Sequence, residues 1–361
     1  SEEIINEILD GKVTFNNEKM IFEIKTEMPL TYTTAFSVKY LKNGIKEVKD
    51  GEGKILYLVP EAIEVPGKYK DEIIVRIPLK NVLSASQTQV CLLRPIDELE
   101  SVKMVMSEAP YWTIENIKNR LENGSISFVG GGNAPDYEKI YSLKPDMTFV
   151  YTGPYGQQKI MEKLDELDLM YVVDNEYLEN HPFGRMEWMK MIAAFYDKED
   201  LAEKYFDNAI KEVNEMIKKI ESTEKPTVVW GNISNGKVYV AKEGSYVTKM
   251  IEMAGGDYVF KESAKDSGEI SIEEFYDKGK NADVFIWSGM MKYDPTLEGI
   301  IEGNPTLADF KTVKEKNVWC FDQDYWQSID KTADVINSLA AIFHPDELDQ
   351  SKVRHFLRYE K

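Results

Sequence analysis

Residues 137–150 read YEKIYSLKPDMTFV, and residues 272–286 read IEEFYDKGKNADVFI. Each stretch opens with an amphipathic segment that carries a glutamate near its start, continues through a polar turn that contains an aspartate, and ends in an apolar run. This order is typical of a surface helix followed by a buried strand. Its loose recurrence predicts two α/β lobes built on one plan.

The same alternation extends beyond these two stretches. Short apolar runs alternate with amphipathic segments from residue 80 to residue 181, and the alternation returns after Lys225-Pro226. It predicts parallel sheets covered by helices. Between the two regions, residues 185–220 place apolar side chains at steps of three and four, which predicts a long helical segment. Residues 197–200 read DKED, which resembles an N-cap with an acidic first turn and marks a potential break.

The first 79 residues consist of short alternating runs separated by turn signals, and Asn43-Gly44 and Asp50-Gly51 flank one run in the manner of hairpin turns. The predicted fold class is therefore α/β, with two Rossmann-like lobes joined by a long bridging helix and a β-rich N-terminal extension on the first lobe. The predicted boundaries are 1–79 for the extension, which packs with the first lobe, 80–181 for the N-terminal lobe, 182–222 for the bridging helix and 223–361 for the C-terminal lobe.

The composition argues against several classes of protein. The chain has 361 residues and a formal net charge of −19, and nucleic acid as the main partner would need a basic surface. Two cysteines, Cys91 and Cys320, are too few for a disulfide framework or a cysteine zinc site. No apolar run approaches the roughly 18 residues of a membrane helix. The chain begins with Ser1 rather than Met, so the lack of a visible leader is no indication of a cytosolic protein.

Catalytic motifs are missing from the sequence, which has no G-x-S-x-G, H-E-x-x-H or Walker A pattern. Gly130-Gly131-Gly132 could cradle a phosphate after an apolar strand. Pro135 stands where a third glycine would be needed, so a tight turn or a close backbone approach to a ligand fits better. His181, in front of Pro182, is compatible with a pocket donor or a haem ligand, and a turn histidine near the hinge is the favoured reading.

Several stretches, in their order and spacing, resemble the substrate-binding proteins of bacterial ABC importers for iron–siderophore complexes, haem and vitamin B12. That family has two α/β lobes joined by a rigid long helix. The likeness covers residues 80–346, and the extension at residues 10–78 is longer than a minimal member carries. The matching stretches are 81–88 (first strand and Ser-rich loop), 138–150 (glutamate, helix, Lys-Pro-Asp, strand), 181–188 (start of the bridging helix), 246–256 (helix and turn) and 340–345 (closing helix).

The resemblance implies a solute-binding protein, not an enzyme, that captures a metal chelate outside the cytoplasm and delivers it to the transmembrane subunits of an ABC permease. It implies no prosthetic group. The transported ligand would be an Fe(III) chelate of the siderophore type, with haem or cobalamin as alternatives. The resemblance also implies a monomer, free in the periplasm or anchored as a lipoprotein, that closes by a small angle.

The family docks to its permease through one surface glutamate per lobe, which meets permease arginines. A carboxylate opposite a guanidinium makes a directional contact with two hydrogen bonds. The matching positions in this sequence are Glu138 and Glu273, with Glu274 as a close rival for the second. Without the resemblance, each would be read as an ordinary solvated side chain.

Most candidate ligand-binding residues are those expected at strand ends and in the adjoining loops, because clefts in α/β folds lie at the carboxyl ends of the strands. Arg185 is a candidate because the bridging segment should border the cleft. Aromatic walls with a few polar groups suit a large amphipathic chelate. Arg185 could neutralise an anionic chelate or a propionate, or could instead pair with Glu187. Trp230 and Trp287 also fit core positions, and Tyr111-Trp112 is a weaker candidate pair. The candidates are Gln87, Asn133, Tyr151, Tyr155, Arg185, Trp230, Tyr246, Trp287 and Tyr325.

Two other classes of function stay open on the sequence. One is a cytosolic chelatase- or reductase-like α/β enzyme, which would turn over a substrate or hold a stoichiometric cofactor. The other is a surface adhesin or scaffold whose working part is the β-rich extension. Among chelates, the charge of −19 mildly disfavours highly anionic ones.

Overall fold

The structure is a computed structural model that describes residues 13–15, 22–24, 26–132, 134–265 and 267–359. The chain divides into two compact units, of which the first comprises residues 1–178 and 187–205 and the second residues 179–186 and 206–361. The strands are β1 (Val13–Phe15), β2 (Phe22–Ile24), β3 (Thr26–Glu27), β4 (Ser37–Tyr40), β5 (Lys46–Lys49), β6 (Ile55–Pro60), β7 (Ile74–Ile77), β8 (Val82–Ser84), β9 (Val102–Val105), β10 (Ser127–Phe128), β11 (Met147–Val150), β12 (Tyr171–Val173), β13 (Thr227–Ser234), β14 (Lys237–Val240), β15 (Asp257–Tyr258), β16 (Glu269–Ile270), β17 (Val284–Met290), β18 (Val318–Phe321) and β19 (Phe356–Arg358). The helices are α1 (Gln87–Cys91), α2 (Glu115–Glu122), α3 (Tyr137–Leu143), α4 (Gln158–Glu166), α5 (Pro182–Ala194), α6 (Glu199–Ile220), α7 (Tyr246–Met253), α8 (Ile272–Gly279), α9 (Leu297–Gly303), α10 (Lys311–Lys314) and α11 (Thr332–Phe343).

The α/β sheet of the first unit has five parallel strands in the order β10-β9-β8-β11-β12. The chain starts at the centre in β8, runs to one edge, and returns on the other side through β11. The order therefore reverses between β8 and β11, and both of these strands are buried along their whole length. In doubly wound sheets ligands bind at such a reversal, beyond the carboxyl ends of the strands.

The stretch at residues 137–150 forms α3 and β11, as its pattern predicts. Asp136 caps α3 by accepting a backbone N–H of the first turn at 2.9 Å, and the helix ends at Lys144, whose φ of 47° is left-handed. Asp146 Oδ2 then accepts the backbone N–H groups of Lys80 and Asn81 at 2.9 and 2.8 Å. These bonds fix the start of β8 beside β11.

The equivalent stretch in the second unit makes the same connections. Ser271 caps α8, and Asp283 Oδ2 accepts the backbone N–H and the hydroxyl of Thr227 at 2.8 and 2.7 Å. Because Thr227 begins β13, these bonds fix β13 beside β17. In both units, the aspartate just before β11 or β17 accepts hydrogen bonds from residues at or just before the start of the neighbouring strand, β8 or β13. These equivalent bonds give the sequence repeat a structural basis.

The second unit has a mixed sheet in the order β16-β14-β13-β17-β18-β19, with β15 paired to the start of β13. The strands β15, β13, β17 and β18 are parallel, whereas β14, β16 and β19 run antiparallel to their neighbours. With the first unit, this confirms the predicted α/β class with two Rossmann-like lobes.

Within the first unit, residues 26–77 form a separate sheet in the order β3-β4-β5-β6-β7. Its first four strands are antiparallel, and β7 lies parallel to β6. The turns predicted at Asn43-Gly44 and Asp50-Gly51 join β4 to β5 and β5 to β6, and Gly44 has the positive φ of 73° that favours glycine. This sheet is the β-rich extension.

Residues 182–222, predicted as one bridging helix, contain the two helices α5 and α6 instead. The chain turns between them at Asp197, whose φ is 54°, at the break that the acidic DKED segment indicates. The 22-residue α6 is amphipathic, with acidic residues in its first turn and lysines in its last. Within the described ranges, no helix is long and apolar enough to cross a bilayer.

Polar contacts join the extension to these helices inside the first unit. The carboxylate of the buried Glu187 on α5 accepts the backbone N–H groups of residues 31–33 at 2.8–3.0 Å and lies 3.3 Å from Lys190 Nζ. The buried Lys46 on β5 lies 2.6 Å from a carboxylate oxygen of Asp197. A buried carboxylate needs such partners, because losing them leaves an uncompensated charge.

Candidate ligand-binding and docking surfaces

At the strand reversal of the first unit, Gln87 begins α1 directly after β8. Its Nε2 donates to the backbone oxygen of Tyr111 at 2.8 Å. Tyr111 is 57% exposed, whereas Trp112 is buried and donates through Nε1 to the backbone oxygen of Ser107 at 3.0 Å. The structure thus brings Gln87 and Tyr111 together and gives Trp112 a core position.

The loop at residues 151–157, which follows β11, carries two of the predicted aromatic residues. Tyr155 is 83% exposed and available to a ligand. Tyr151 is partly buried, and its ring lies 5.4 Å from that of Tyr177 in an edge-to-face arrangement. The Tyr177 hydroxyl donates to the backbone oxygen of Thr152 and also bonds the backbone of Tyr155. The loop is therefore held in a defined conformation with one tyrosine exposed.

The second unit brings three predicted residues into one cluster. The guanidinium carbon of Arg185 lies 4.2 Å from the centroid of the Tyr246 ring, a cation–π geometry. Tyr246 and Tyr325 are hydrogen-bonded through their side chains, and burial raises the pKa of Tyr325 while the nearby Arg185 opposes that rise. The partly buried Arg185 and Tyr246 offer a planar cation and a phenol, whereas Tyr325 is buried beside them. The Glu187 carboxylate, considered above as a partner for Arg185, instead binds residues 31–33 and Lys190.

The Tyr325 ring packs against several other aromatic rings. It lies 3.9 Å from the Phe321 ring at an interplanar angle of 6°, and Phe356 lies 5.5 Å away. Trp230 lies 6.5 Å from Tyr325 and 5.5 Å from Phe321. Such packing fixes the orientation of Tyr325, since aromatic pairs in these geometries attract each other beyond simple burial.

The two tryptophans proposed as pocket walls are core side chains. Trp230 and Trp287 are each 3% exposed. Trp287 packs edge-to-face on Phe285 at 6.0 Å and donates through Nε1 to Asp294 Oδ2 at 2.9 Å. Both residues lie on strands covered on both faces, so their side chains pack inward. This corrects their assignment as ligand contacts and supports the core position that the sequence also allowed.

The three candidate docking glutamates differ in their surroundings. Glu138 on α3 and Glu273 on α8 are both exposed, and each stands two residues after its helix cap, Asp136 or Ser271. Glu274 is partly buried and lies 3.0 Å from Lys278 Nζ. Hydrogen bonds from Ser263 and Lys278 hold the pKa of Glu274 below its ordinary value. Glu138 and Glu273 therefore occupy equivalent positions, whereas the Glu274 carboxylate is bound by Ser263 and Lys278.

Two other candidates have different outcomes. Asn133 lies outside the described residues. His181 Nδ1 accepts the backbone N–H of Phe183 at 3.1 Å, and the two rings stack 6.0 Å apart, which fits a turn histidine at the start of α5. Over the part of the chain that the structure describes, no three His, Cys, Asp or Glu side chains form a metal-binding group.

Sequence reasoning missed the residues that hold these surfaces in place. Asn175 and Glu52 contact Thr152 in the first unit, and in the second unit His355 Nδ1 lies 3.0 Å from Asp324 Oδ2 next to Tyr325. No local motif marks these contacts. The one available signal was the Asp50-Gly51 turn, which indicated a hairpin but not what its tip contacts.

Comparisons with known proteins agree with this architecture. Residues 99–325 match the model of a family described as periplasmic binding protein. An uncharacterized lipoprotein of Methanocaldococcus jannaschii is 36% identical over 323 residues, covering 86% of this chain and 77% of the relative. The crystal structure of a periplasmic binding protein from Veillonella parvula superposes with a TM-score of 0.62 at 14% identity, covering 90% of this chain and 99% of that one. A periplasmic haem-binding protein from Pseudomonas aeruginosa gives a TM-score of 0.61 at 15% identity over 78% and 98% of the two chains.

The fold and the family match are those of a two-lobed solute-binding protein. The chain belongs to the periplasmic binding protein family, and this confirms the resemblance seen in the sequence. The members of this family are transport proteins and not enzymes. The chelatase or reductase alternative is therefore set aside.

Proposed function

We propose that this protein is an extracytoplasmic lipoprotein that captures an Fe(III) chelate of the siderophore type and delivers it to an ABC permease. The family match supports the solute-binding role, and the relative described as a lipoprotein supports membrane anchoring by lipid. Haem and cobalamin are the alternative cargoes. One structural neighbour is a haem-binding protein, which is why haem stays an alternative cargo, although a likeness at 15% identity extends only to the fold.

The observation that carries the proposal is the cluster of Arg185, Tyr246 and Tyr325. A guanidinium lying 4.2 Å from an aromatic ring is oriented before a ligand arrives, so less conformational entropy is lost on binding. Its planar set of donors matches carboxylate, catecholate or hydroxamate oxygens at the edge of a ferric chelate. The partly buried Tyr246 ring offers flat apolar area with a hydroxyl group, which suits a large amphipathic ligand, and the buried Tyr325 holds it in place. A haem propionate would satisfy the same arginine.

The test is a titration of the purified chain with ferric hydroxamate, ferric catecholate, ferric citrate, haem and cobalamin, followed by tryptophan fluorescence. Trp230 lies 6.5 Å from Tyr325, so a coloured chelate at the cluster should quench it. We expect saturable quenching at submicromolar concentration by one ferric chelate class. Saturation by haem or cobalamin alone would replace the cargo and keep the binding role. No response to any member of the panel would contradict the proposal.

Delivery would proceed through Glu138 and Glu273, one from each unit. Both are exposed at the second position of a capped helix, so each can present its carboxylate to an arginine of a permease subunit. The neighbouring Glu274, held by Lys278 at 3.0 Å, is the natural control. Because these residues lie on surface helices, replacing them leaves the ligand cluster untouched.

Docking can be tested with the cognate permease in proteoliposomes. Glu138→Arg and Glu273→Arg should each lower chelate uptake by about tenfold or more, because a like charge then faces the permease arginines. Chelate binding by the soluble chain should not change, and Glu274→Gln should transport normally. If Glu274→Gln abolished uptake while Glu273→Arg did not, the docking assignment would be reversed.

A further inference from the structure

A turn of the N-terminal extension lies against the edge of the parallel sheet in the first unit. This turn, residues 50–54, connects β5 to β6 and is called the extension turn here. The backbone N–H of Gly51 donates to the oxygen of Val173 at 3.0 Å, and the N–H of Val173 donates to Asp50 Oδ2 at 3.0 Å. Val173 ends β12, the edge strand next to β11. The extension turn therefore supplies hydrogen-bond partners to the backbone of Val173 at the edge of the sheet, where β12 ends.

Side-chain contacts fix the extension turn in place. A β-carbon at position 51 would lie 3.1 Å from Asn175 Nδ2, so a side chain there would fit only if its neighbours shifted. At the other end of the turn, Lys54 Nζ lies 3.1 Å from the centroid of the Tyr171 ring. Glu52, between these two anchored residues, is thereby held at a defined place.

Glu52 contacts the loop at residues 151–157. Its Oε1 accepts a hydrogen bond from the Thr152 hydroxyl and lies 3.5 Å from Asn175 Nδ2. Asn175 completes the set, since its Oδ1 accepts the Thr152 N–H at 2.8 Å and its Nδ2 donates to Thr152 Oγ1 at 2.7 Å. Thr152 is buried, so its polar atoms need partners within the protein. Glu52 supplies the acceptor for the hydroxyl hydrogen.

Thr152 follows Tyr151 directly and precedes Tyr155 by three residues. The loop closes on itself through Gly156 N–H, which donates to the oxygen of Gly153 at 2.9 Å. A loop this tight moves as one piece, so a bond that fixes Thr152 also sets the positions of Tyr151 and Tyr155.

We propose that the extension turn supports the ligand-binding surface by holding the loop at residues 151–157, and that Glu52 is a positioning residue for Tyr151 and Tyr155. This inference rests on the proposed function, because it assigns those tyrosines to ligand contact. It gives the extension a role in binding: the extension turn holds the loop in one conformation before the ligand arrives, which reduces the ordering needed on binding.

The first arm of the test needs no ligand. Amide hydrogen exchange is measured on the full chain and on the variants Glu52→Ala, Glu52→Gln and Glu64→Ala. Glu64 is an exposed glutamate of the same extension and serves as the matched control. We expect exchange at residues 151–157 to rise roughly tenfold in Glu52→Ala, because a hydrogen bond to a charged acceptor is lost. Glu52→Gln keeps an acceptor oxygen and should stay near the parent rate, as should Glu64→Ala. Unchanged exchange in Glu52→Ala would overturn the proposal.

The second arm measures affinity by fluorescence titration with the member of the ferric chelate, haem and cobalamin panel that quenches the parent chain. Glu52→Ala should bind about threefold to tenfold more weakly, and Glu52→Gln should restore binding. Faster exchange with unchanged affinity in Glu52→Ala would overturn the positioning role. A loss of affinity in Glu52→Gln equal to that in Glu52→Ala would also overturn it. If the parent chain bound no panel member, the proposed function would fail, and with it the role in ligand binding. The exchange arm would still decide whether Glu52 fixes the loop.

Discussion

The loop at residues 151–157 in the first unit and the loop at residues 322–328 in the second unit both follow parallel strands, yet different contacts hold their tyrosines. The first is fixed by hydrogen bonds that converge on Thr152 from Glu52, Asn175 and Tyr177. The second is fixed by stacked rings, with Phe321 lying 3.9 Å from Tyr325.

This difference predicts different sensitivities to mutation. Hydrogen bonds are directional, so the first loop should respond to the loss or misplacement of single atoms, even where volume is conserved. Aromatic packing depends on filled volume, so the second loop should respond to truncation of a ring and tolerate changes at its polar edge. The predictions below run from the largest expected effect to the smallest.

Truncation of the Phe321 ring, which ends β18 and packs against the second loop, should have the largest effect. Phe321→Ala is expected to lower the free energy of unfolding by about 3–5 kcal/mol, because it leaves a cavity beneath Tyr325. Urea denaturation measures this directly, and Phe321→Leu should lose clearly less because it keeps more of the volume. A loss under about 1 kcal/mol for the alanine variant would show that ring packing does not hold this loop.

Loss of the amide partner in the first loop should come next. Asn175→Ala leaves the buried N–H and hydroxyl of Thr152 without two of their bonds, at an expected cost of about 1–3 kcal/mol in unfolding free energy. Asn208→Ala, at an exposed position on α6, is the control and should change stability by less than about 0.5 kcal/mol. Equal effects of Asn175→Ala and Asn208→Ala would show that these hydrogen bonds do not hold the first loop.

A single methyl group in the first loop provides a sharper test. Gly153 has a φ of 95°, and a β-carbon there would overlap the Tyr177 hydroxyl, whereas Gly124, with a φ of 79°, has open space around it. Both alanine variants should lose about 1–2 kcal/mol through the left-handed backbone. Gly153→Ala should lose more, and that excess should disappear when Tyr177→Phe is added. An excess that survives in the double variant would place the strain elsewhere.

The smallest expected effect concerns a charged contact of the second loop, between Asp324 and His355. Burial raises the pKa of Asp324, but the hydrogen bond and charge of His355 outweigh it and hold the pKa below the ordinary value of 3.8. Because the folded pKa is lowered, this contribution to stability is present above that value and is lost as the pH falls through the folded one. The gap in urea midpoint between the parent and Asp324→Asn should therefore shrink from about pH 5 to about pH 3. A constant gap, like that expected for the exposed Asp346→Asn, would contradict this account.

Much of the fold could be predicted because local signals and global topology agree. The helix, turn and strand at residues 137–150 and at 272–286 carry their own caps and apolar runs, and Asp146 and Asp283 make equivalent bonds in the structure. The sequence predicts a single bridging helix over residues 182–222 with a potential break at residues 197–200, and the structure places the end of α5 and the start of α6 at that break. The left-handed Asp197 and its bond to Lys46 are what end the continuity, and Lys46 is distant in sequence.

The candidate site was predicted only in part, for a physical reason. Tyr246 and Tyr325 were expected near strand ends and Arg185 where the bridging segment borders the cleft, and the structure does bring the three together. Trp230 and Trp287 share the same kind of position in sequence, yet they pack inward, because single residues at strand ends do not reveal which face they occupy. Glu52 was missed because its partner Thr152 lies 100 residues away, and no spacing rule connects the two.

The most direct test of the central claim is a calorimetric titration with the chelate that quenches the parent protein, comparing the parent, Arg185→Lys, Arg185→Gln and the control Arg354→Gln, which alters an exposed arginine of the same unit. The account predicts one chelate per chain and an affinity about tenfold lower in Arg185→Gln, with Arg185→Lys in between, because only the guanidinium offers two parallel donors over the Tyr246 ring. Arg354→Gln should match the parent. Equal affinity in all four proteins would contradict the claim that the cluster around Arg185 receives the cargo.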